Sequence, residues 1–344
     1  MARVFGTWKS NLAQFQVLAD ESAAYSAATQ AWRGVFGGFD DNRTREVTEE
    51  NVGLEVNTER PYDAQLAADL SVPETEFTFE QALYMLTTSL LVPAPVDNSP
   101  SFGHTWSFPI PVDGSARSTN FLAWEVGNVK VPADVHLIPL SFFSEVQFSG
   151  RRGEAWKMGG TVMGNRAVQN GKETFTGFTT GLSLPSVTPA LFSHTKVYID
   201  DSGGTIGTTQ VSDVLLSADI TIDSGIRWLP PGDGFLYPRV VKRGAPNLTF
   251  SLNFELEEDT GSSTVATERA FHDDPNHFRL IRLETPGPNG EQFILDMAAK
   301  YDKPGPYAQE DDLDTAVSFD GHATYSPTDG LFFQVDITNS VAAL

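Results

Sequence analysis

Two short stretches combine residue types that could hold a metal ion. His272 and His277 flank two aspartates in HDDPNH, and residues 310–314 have the sequence EDDLD. Two imidazoles and a carboxylate can bind zinc, and clustered carboxylates can bind calcium. However, the Asp-Pro step favours a polar loop in the first stretch, and the second lacks the alternate ligand spacing and central glycine of a calcium loop. We therefore predict no metal site.

Other catalytic arrangements are incomplete as well. GNRAVQNGKET resembles a phosphate-binding loop, but Arg166 stands where the first glycine is needed, and Glu173 follows Lys172 in place of Ser or Thr. The chain has no GxSxG motif and no cysteine, which excludes thiol chemistry. Paired carboxylates of glycosidase type stay open among the 45 acidic residues, with a β-rich hydrolase as the third alternative. We predict that the protein is not an enzyme and needs no cofactor.

Strands with an acidic outer face dominate the pattern. In LLSADITIDSGIRWL (residues 215–229), apolar and polar residues alternate without a fault from Leu216 to Asp223. NLTFSLNFELEED (residues 247–259) alternates in the same way. One side of each strand is therefore expected to face a core, while the other side carries carboxylates, hydroxyls and amides. Such a face could meet bulk water, a substrate or another large molecule.

A few local signals predict the remaining elements. Thr78 and Gln81 form a capping box before an apolar stripe, which predicts a helix that stops at Pro93. Residues 11–20 are weakly helical in pattern, and a second short helix is expected at 263–271. Two hairpins are predicted, one over residues 143–163 with its turn at 150–153, and a closing one over residues 314–338 with its turn at 326–330.

The elements occur in two series with the same order, which indicates an internal duplication. GLEVNTERPY is matched with ADITIDSGIRW, QLAADLSV with LTFSLNFELE, FLAWEVGN with HFRLIRLE, and the first hairpin with the closing one. The loop between the first two strands is short in the first copy, near Pro61, and long in the second copy. The predicted organisation is an N-terminal arm or extended segment (1–45), copy 1 (46–165), a connector (166–195) and copy 2 (196–344), whose long loop covers 226–246.

Charge and hydropathy limit the partners. The net charge is −22, from 23 Lys and Arg against 45 Asp and Glu, whereas nucleic-acid binders neutralise phosphates with basic residues. The acidity favours either simple solubility or repulsion of a polyanion. The sequence has no run of about 18 apolar residues and no signal-peptide pattern at its start, so we expect no membrane span and synthesis inside a cell.

The order of elements resembles that of the major tail tube proteins of long-tailed (siphovirus) bacteriophages. Three stretches carry the resemblance, which extends over about residues 45–340. They are SEVQFSGRRGEAWKMGGTVMGN, LLSADITIDSGIRWL with its long loop and NLTFSLNFELEED, and LDTAVSFDGHATYSPTDGLFFQVDITNSV. The chain departs from the single-domain pattern of the family by its duplication and by the short loop of its first copy, so contacts between rings are expected to be unequal.

The resemblance implies a mainly β fold: two tandem tail-tube-type antiparallel β-sandwich domains, each with a flanking helix, contributing strands to an intersubunit β-barrel. It implies a virion structural subunit that self-assembles into stacked pseudo-hexameric rings, each a homotrimer, as an acidic conduit for DNA ejection. The implied partners are further copies of the chain, a tape measure protein, tail terminator and tip proteins, and transiting double-stranded DNA without specific binding. No membrane is implied, and the tail is assembled in the host cytoplasm.

Two sets of residues follow as candidates under this interpretation. The predicted lumen-lining residues are Glu55, Asn57, Glu59, Asp69, Asp219, Thr221, Asp223, Asn253, Glu255 and Glu257. The predicted ring-stacking residues are Phe235, Leu236, Tyr237, Arg239, Lys242 and Arg243. Solvated faces of an ordinary sandwich and a loop folded back on its own domain are the simpler alternatives. Another two-domain β-sandwich virion protein or a carbohydrate-binding module would instead be a stable monomer, with an aromatic platform on one sheet.

Overall fold

The computed structural model describes most of the chain. The described residues are 10–34, 37–50, 58–99, 101–113, 115, 117–211, 214–230, 232, 234–256, 264, 267–269, 278–304, 309–311 and 314–344. Antiparallel strands dominate these residues, which confirms the prediction of a mainly β protein.

The described residues of the first part of the chain, up to Gln169, form twelve strands and the main helix. The strands are β1 (Asn11–Leu18), β2 (Gln30–Ala31), β3 (Phe39–Asp40), β4 (Thr44–Glu50), β5 (Thr58–Gln65), β6 (Ala68–Glu76), β7 (Val96–Asp97), β8 (His104–Pro109), β9 (Phe121–Asn128), β10 (His136–Arg151), β11 (Lys157–Gly164) and β12 (Val168–Gln169). Helix α1 (Phe79–Ser89) lies between β6 and β7, and a 3-10 turn covers Pro132–Asp134.

The described residues of the second part, from Lys196 onward, form eleven strands. They are β13 (Lys196–Asp201), β14 (Gln210–Val211), β15 (Leu215–Asp223), β16 (Ile226–Trp228), β17 (Val241–Arg243), β18 (Asn247–Glu255), β19 (Arg279–Pro286), β20 (Gln292–Pro304), β21 (Gln309–Asp311), β22 (Asp314–Ala323) and β23 (Phe333–Asn339). A 3-10 turn precedes β13 at Phe192–His194. Thr264 and residues 267–269 are helical, within the region where the second helix is predicted.

Eight strands form one continuous antiparallel sheet across both parts of the chain. Their order is β3, β6, β11, β10, β15, β18, β22 and the C-terminal half of β20. One face of this sheet is apolar and buried, because alternate residues of each strand point the same way. On β15, for example, Ala218, Ile220 and Ile222 are buried, as the alternation predicts. We refer to the other face as the polar face.

The pairings of the second part repeat those of the first. β9 pairs with β1 and β10, as β19 pairs with β13 and β20. β10 also pairs with β11 and β12, just as β20 pairs with β22 and β23. In addition, the short strand β2 pairs with β1, just as the short strand β14 pairs with β13. Both β10 and β20 have a bulge opposite their partner strand. Each partner strand has a glycine opposite the bulge, Gly160 in β11 and Gly321 in β22. A side chain at either position would collide with the backbone of the bulged strand.

The apolar faces share one core. The rings of Phe148 and Phe293 lie 5.5 and 5.0 Å from that of Phe77, so residues from both parts of the chain meet. Trp156 packs beside them and donates its indole N–H to Thr195 and Thr285, at 2.8 and 3.1 Å. Large apolar rings and satisfied polar tips of this kind make burial of aromatic residues favourable.

Helix α1 has the predicted start. The Thr78 hydroxyl accepts from the backbone N–H of Gln81 at 3.4 Å, which confirms the cap. The sequence predicts that only one apolar side of this helix is buried, which is wrong, because every residue of α1 is buried. Even the carboxylate of Glu80 is covered, and it accepts from the backbone N–H of Thr188 in the connector at 2.9 Å. The helix is therefore enclosed by its surroundings.

The predicted helical pattern of residues 11–20 is wrong. Asn11–Leu18 is strand β1, paired along its whole length with β9, and Phe15 is buried against Trp124 with ring centroids 5.0 Å apart. Partners distant in sequence override a weak local preference for helix. This part of the predicted arm (1–45) is thus built into a sheet.

The closing hairpin is also wrong as predicted. β22 and β23 follow each other along the same side of β20, and an isolated bridge between Ser326 and Leu331 marks the turn. The first hairpin, β10 with β11, is confirmed, but its counterpart is β20 with β22.

The short loop predicted for the first copy is a further error. β4 and β5 pair as a two-stranded sheet over residues 44–65, and Pro61 lies within β5 opposite Val47. The described part of GLEVNTERPY belongs to this pair. The structural counterpart of β15 is instead the segment around β3, because β3 pairs with β6 as β15 pairs with β18.

Candidate assembly surfaces

The polar face is built from rows of residues that run across the strands. One row crosses from Glu76 through Lys157, Ser149 and Asp219 to Ser251 and Asp320 of β22, and its register continues to Lys303 of β20. The alternation of strands β10, β15, β18 and β22 places the side chains from Ser149 to Asp320 on one side of the sheet. Two further rows run beside this one. They consist of Gly159, Gln147, Thr221, Thr249 and His322, and of Ser71, Thr161, Glu145, Asp223 and Asn247.

Short polar side chains and carboxylates make up most of this face. Ser251 donates to Asp320 at 2.7 Å, and Gln147 donates to Glu145 at 2.6 Å. The three rows hold five carboxylates and Lys157, whose ammonium pairs with Glu154 at 2.7 Å; their register continues onto β20, where Lys300 lies opposite His322, and Arg151 lies on the same side of β10 as Ser149. These described rows contain no Trp, Tyr or Phe, so the polar face offers no aromatic platform.

Two carboxylates of the polar face are harder to ionise than usual. Burial raises the pKa of Asp219; nearby Arg151 counteracts this shift and Glu74 adds to it. Burial likewise raises the pKa of Asp69, although Asn42 donates a hydrogen bond to its carboxylate. Loss of hydration, rather than repulsion between carboxylates, is therefore the main cause of both pKa shifts.

The structure brings six of the ten predicted lumen residues into or beside the polar face. These six are Asp69, Asp219, Thr221, Asp223, Asn253 and Glu255. Glu255 is at the rim of the face and pairs with Arg152 at 3.1 Å. Glu59 belongs to β5, opposite Glu49 and outside the eight-strand sheet. Glu55, Asn57 and Glu257 lie outside the described residues.

Two ribbons leave the sheet at the same end. The first ribbon is β4 with β5 (residues 44–65), between β3 and β6, and the second ribbon is β16 with β17 (residues 226–243), between β15 and β18. Because successive strands of the sheet are antiparallel, β6, β10 and β18 all run in one direction. The starts of β6 and β18, where the ribbons rejoin the sheet, therefore lie at one rim.

The ribbons carry exposed apolar side chains. Val47 and Tyr62 of the first ribbon are 50% and 55% exposed, and Leu236 and Val240 of the second are 47% and 52% exposed. The described side chains of the first ribbon are exposed or half-buried, and ion pairs such as Arg45 with Asp63 at 2.8 Å hold some of them. An uncovered two-stranded ribbon is only marginally stable by itself.

The predicted ring-stacking residues divide into two groups. Phe235 and Leu236 are exposed at the tip, and the guanidinium of Arg239 covers the Phe235 ring at 4.4 Å. Tyr237 instead folds back onto the chain, where Arg166 stacks on its ring at 3.8 Å. Arg243 lies at the root of the ribbon, and Lys242 is exposed.

The root of the second ribbon is clamped to the first half of the chain. Arg243 pairs with Glu21 at 3.3 Å and donates to Thr119 at 3.4 Å. The guanidinium of Arg117 donates to three backbone carbonyls. One is that of Leu90 at the end of α1, and the other two are those of Ser224, at 2.8 Å, and Gly244, which lie on either side of the root of the ribbon. The ribbon is thus held in a defined direction while its tip stays exposed.

Comparison with known proteins gives no family for the chain. No protein-family model matches it, and no curated protein matches it. The surfaces described above therefore carry the functional argument.

Sequence reasoning missed part of the polar face, although the signal was present. SEVQFSG alternates, so Glu145, Gln147 and Ser149 could have been added from β10. Ser318 and Asp320 could have been added in the same way from the alternating VSFDGHA of β22. Their place beside β15 was not predictable, because it depends on pairing between distant strands.

Glu125 is a buried cluster centre with no signal in the sequence. Its carboxylate accepts from Gln14 at 3.0 Å and from the backbone N–H of Thr179 at 2.6 Å, and Tyr25 donates to it as well. Burial and this hydrogen bond raise the pKa of Tyr25 to about 12. The cluster joins β1, β9 and the connector, and its fully enclosed position indicates a structural role.

Metal and membrane features can be stated for the described residues. In this part of the chain, no group of three or more His, Asp or Glu side chains is arranged to hold a metal ion. None of its helices has the length and apolar character needed to cross a bilayer.

Proposed function

We propose that this protein is the structural subunit of a siphovirus-type phage tail tube, with self-assembly as its activity. The observation that carries the proposal is the continuous eight-strand sheet, whose exposed face is polar, acidic and free of aromatic rings in its described rows. In this proposal the polar face forms the inner surface of the tube. In this proposal the two repeated sets of pairings are two tail-tube-type sandwich domains.

Electrostatics supports a conduit for DNA. Double-stranded DNA carries one charge per ~1.7 Å of its axis, so a basic wall would hold it by counterion release. On the polar face, carboxylates such as Asp219, Asp223 and Asp320 outnumber the described cations, which are Lys157, already paired with Glu154, together with Arg151 and Lys300. Passing DNA would therefore stay unbound and centred.

Strand number supports a bore of the right size. Three chains with eight strands each, spaced ~4.8 Å apart and tilted ~40°, would give a barrel with a circumference of roughly 150 Å. After side chains are included, the bore would be about 40 Å, which is wide enough for a double helix. A homotrimer would thus act as a pseudo-hexameric ring.

The ribbons support stacking of such rings. Both leave one rim of the sheet and both present apolar side chains there, including Tyr62 and Phe235. Exposed apolar groups at the same end of a molecule mark an interaction surface. With two ribbons per chain, the contacts between rings would come from both halves, rather than from the second half alone.

The remaining partners follow from the same proposal. The subunit would be assembled in the host cytoplasm around a tape measure protein and would meet terminator and tip proteins at the tube ends. Double-stranded DNA would pass without specific binding, and the final location would be the virion tail.

Negative-stain electron microscopy of the concentrated pure protein tests the proposal. We expect hollow tubes or stacked rings. A protein that stays monomeric at all concentrations, or that binds a glycan, would contradict the proposal and favour a binding module.

A further inference from the structure

The tip of the second ribbon returns to the body of its own chain through one side chain, Tyr237. β16 and β17 pair over three residues each, so residues 234–239 lie beyond their ladder. Tyr237 is half-buried, and the guanidinium of Arg166, which follows β11, stacks on its ring at 3.8 Å. Arg166 also donates to Glu173 of the connector at 2.9 Å. We refer to Tyr237, Arg166 and Glu173 as the clip.

Both aromatic rings of the tip are covered by cations of the same chain. Phe235 and Tyr237 form a tilted pair with ring centroids 5.6 Å apart. Arg239 covers the Phe235 ring at 4.4 Å, and Arg166 covers the Tyr237 ring at 3.8 Å. A guanidinium over an aromatic face is a favourable contact that another molecule could equally provide. In this closed arrangement the chain therefore occupies part of the aromatic surface of its own tip.

A cleft separates the rest of the tip from the body of the chain. Its volume is about 310 Å³, and both polar and apolar side chains line it. They include Tyr237 and Arg239 of the tip, and Glu21, Leu140 and Asn165 of the body. The tip thus lies over a cavity rather than on a packed surface. Few buried contacts oppose its opening, which is typical of segments with low local stability.

The closed arrangement leaves buried polar atoms without a partner. Asn165 is 4% exposed, and its Oδ1 accepts no hydrogen bond from any described residue. The Nε of Arg166 is also buried and has no partner within the described part of the chain. Both residues line the cleft. Because an unpaired buried polar atom raises the free energy of the state that buries it, the closed tip is held weakly.

The root of the ribbon is fixed more firmly than the tip. Arg243 pairs with Glu21 there at 3.3 Å. A Cβ at Gly225 would lie 2.3 Å from the carbonyl oxygen of Ala245, so the two sides of the root are in close contact. In the tip, Gly234 has a φ of 91°, and a Cβ at this position would meet nothing within 4 Å. We therefore expect movement of the tip about a fixed root.

We propose that the clip is an autoinhibitory contact, which holds the tip against its own subunit and must open before the tip can bind a second copy of the chain. This inference rests on the proposed function and adds a control on when rings can stack. Opening would add the ring of Tyr237 to the exposed side chains of Phe235 and Leu236. Arg239 beside them is a cation on a chain with a net charge of −22, which favours a second copy as the partner.

Amide hydrogen exchange of the dilute subunit measures the opening. The backbone N–H of Leu66 donates to the carbonyl oxygen of Leu236 at 2.7 Å, so its exchange reports on the closed tip. In Arg166→Gln we expect exchange at Leu66 to be about tenfold faster, the order expected for loss of one cation–π contact, while the eight-strand sheet stays protected. Glu173→Gln changes an exposed carboxylate with little risk to folding and should give a smaller increase. Lys172→Gln, an exposed neighbour outside the clip, is the matched control and should behave as the wild type.

Assembly kinetics then distinguish inhibition from support. Light scattering of the concentrated protein should show a shorter lag for Arg166→Gln than for the wild type, because the tip is already released. Tyr237→Ser should also release the tip but lengthen the lag, because it removes a ring that the open tip presents.

The outcomes separate this inference from the proposed function. A longer or unchanged lag for Arg166→Gln, with faster exchange at Leu66, would overturn the autoinhibition and leave the tube function intact. Unchanged exchange in both Arg166→Gln and Glu173→Gln would overturn it in the same way. A chain that never associates, whatever its exchange rates, contradicts both the autoinhibition and the tube function.

Discussion

The backbone N–H of Leu66 donates to the carbonyl oxygen of Leu236 at 2.7 Å. Leu66 follows the first ribbon, and Leu236 lies at the tip of the second ribbon, so this bond links the two ribbons across the halves of the chain. The carbonyl that receives the bond belongs to an exposed leucine. The ribbons therefore form one composite surface at the rim of the sheet, and a change in the tip of one should affect the other.

Changing the exposed apolar tip should prevent stacking without unfolding the subunit. We expect Phe235→Ser/Leu236→Ser to remain folded, with a free energy of unfolding within about 0.5 kcal/mol of the wild type, because both side chains are surface groups. Tube formation, measured by sedimentation and negative-stain microscopy, should be lost. Val129→Ser, at an exposed valine elsewhere, is the control and should form tubes. Normal tubes from the double variant would contradict the stacking role.

Reversing charge on the polar face should affect DNA passage but not assembly. Asp219→Lys/Asp223→Lys adds two cations to the face, one in each of the rows on either side of Thr221. If this face lines the lumen, the cations will attract phosphates and slow ejection, which can be measured as the rate of DNA release from particles. Asp219→Asn/Asp223→Asn, which removes charge without adding cations, should have a smaller effect. Equal ejection rates in all three proteins would exclude a lumen position.

The parts of the fold that the sequence predicted are those fixed by local chemistry. The alternation of β15 and β18 and the Thr78 cap of α1 follow from residues a few positions apart, so each could be predicted without knowledge of distant partners. The helix is buried all round, however, because β10 and β23 pack on it, and no local pattern contains that information.

The errors arose where distant pairing decides the structure. β3 lies in a glycine-rich segment without alternation, and it becomes a strand because β6 offers an edge. The first ribbon has the charged sequence TREVTEE and is exposed on both faces, so it shows no core-facing period. β22 and β23 are consecutive strands with a turn signal, yet both select β20 as their partner. Register and partner choice were therefore not readable from periodicity.

Loss of hydration around the carboxylate of Asp219 should lower stability at neutral pH. Burial raises the pKa of Asp219 in the folded protein above the model-peptide value of 3.8, so the folded state holds the proton more tightly than the unfolded state. Its contribution to the free energy of unfolding therefore falls as pH rises from about 3.8 through the folded pKa. We expect Asp219→Asn to be more stable than the wild type at pH 7, with the difference vanishing below pH 3.8 in denaturant titrations. A wild type more stable than the variant at pH 7 would contradict this electrostatic account.

Breaking the ion pair between Arg282 and Asp296 should lower the free energy of unfolding substantially. Two hydrogen bonds of 2.7 Å join the side chains, and burial raises the pKa of Asp296 despite the attraction of Arg282. Arg282→Gln leaves a buried carboxylate unpaired, so we expect a loss of about 2–3 kcal/mol at pH 7, less than for a fully buried pair because the guanidinium is partly exposed. The loss should shrink as the pH falls and Asp296 is protonated. Lys196→Gln, which removes a longer pair with Glu284, should cost less than about 0.5 kcal/mol and serves as the control.

Glu125 should hold the N-terminal strand and the connector in place. Glu125→Gln keeps the shape of the side chain but removes the charged acceptor. The amide N–H groups of the new glutamine would face groups that are themselves donors, namely the Gln14 amide and the backbone N–H of Thr179. We expect a loss of about 2 kcal/mol in the free energy of unfolding, the value of hydrogen bonds to a charged group. Amide hydrogen exchange should rise selectively in β1 and near Thr179, while the eight-strand sheet stays protected. Lys172→Gln, at an exposed side chain of the same connector, should leave stability and exchange unchanged. Uniform exchange throughout the variant would instead show that Glu125 supports the whole fold.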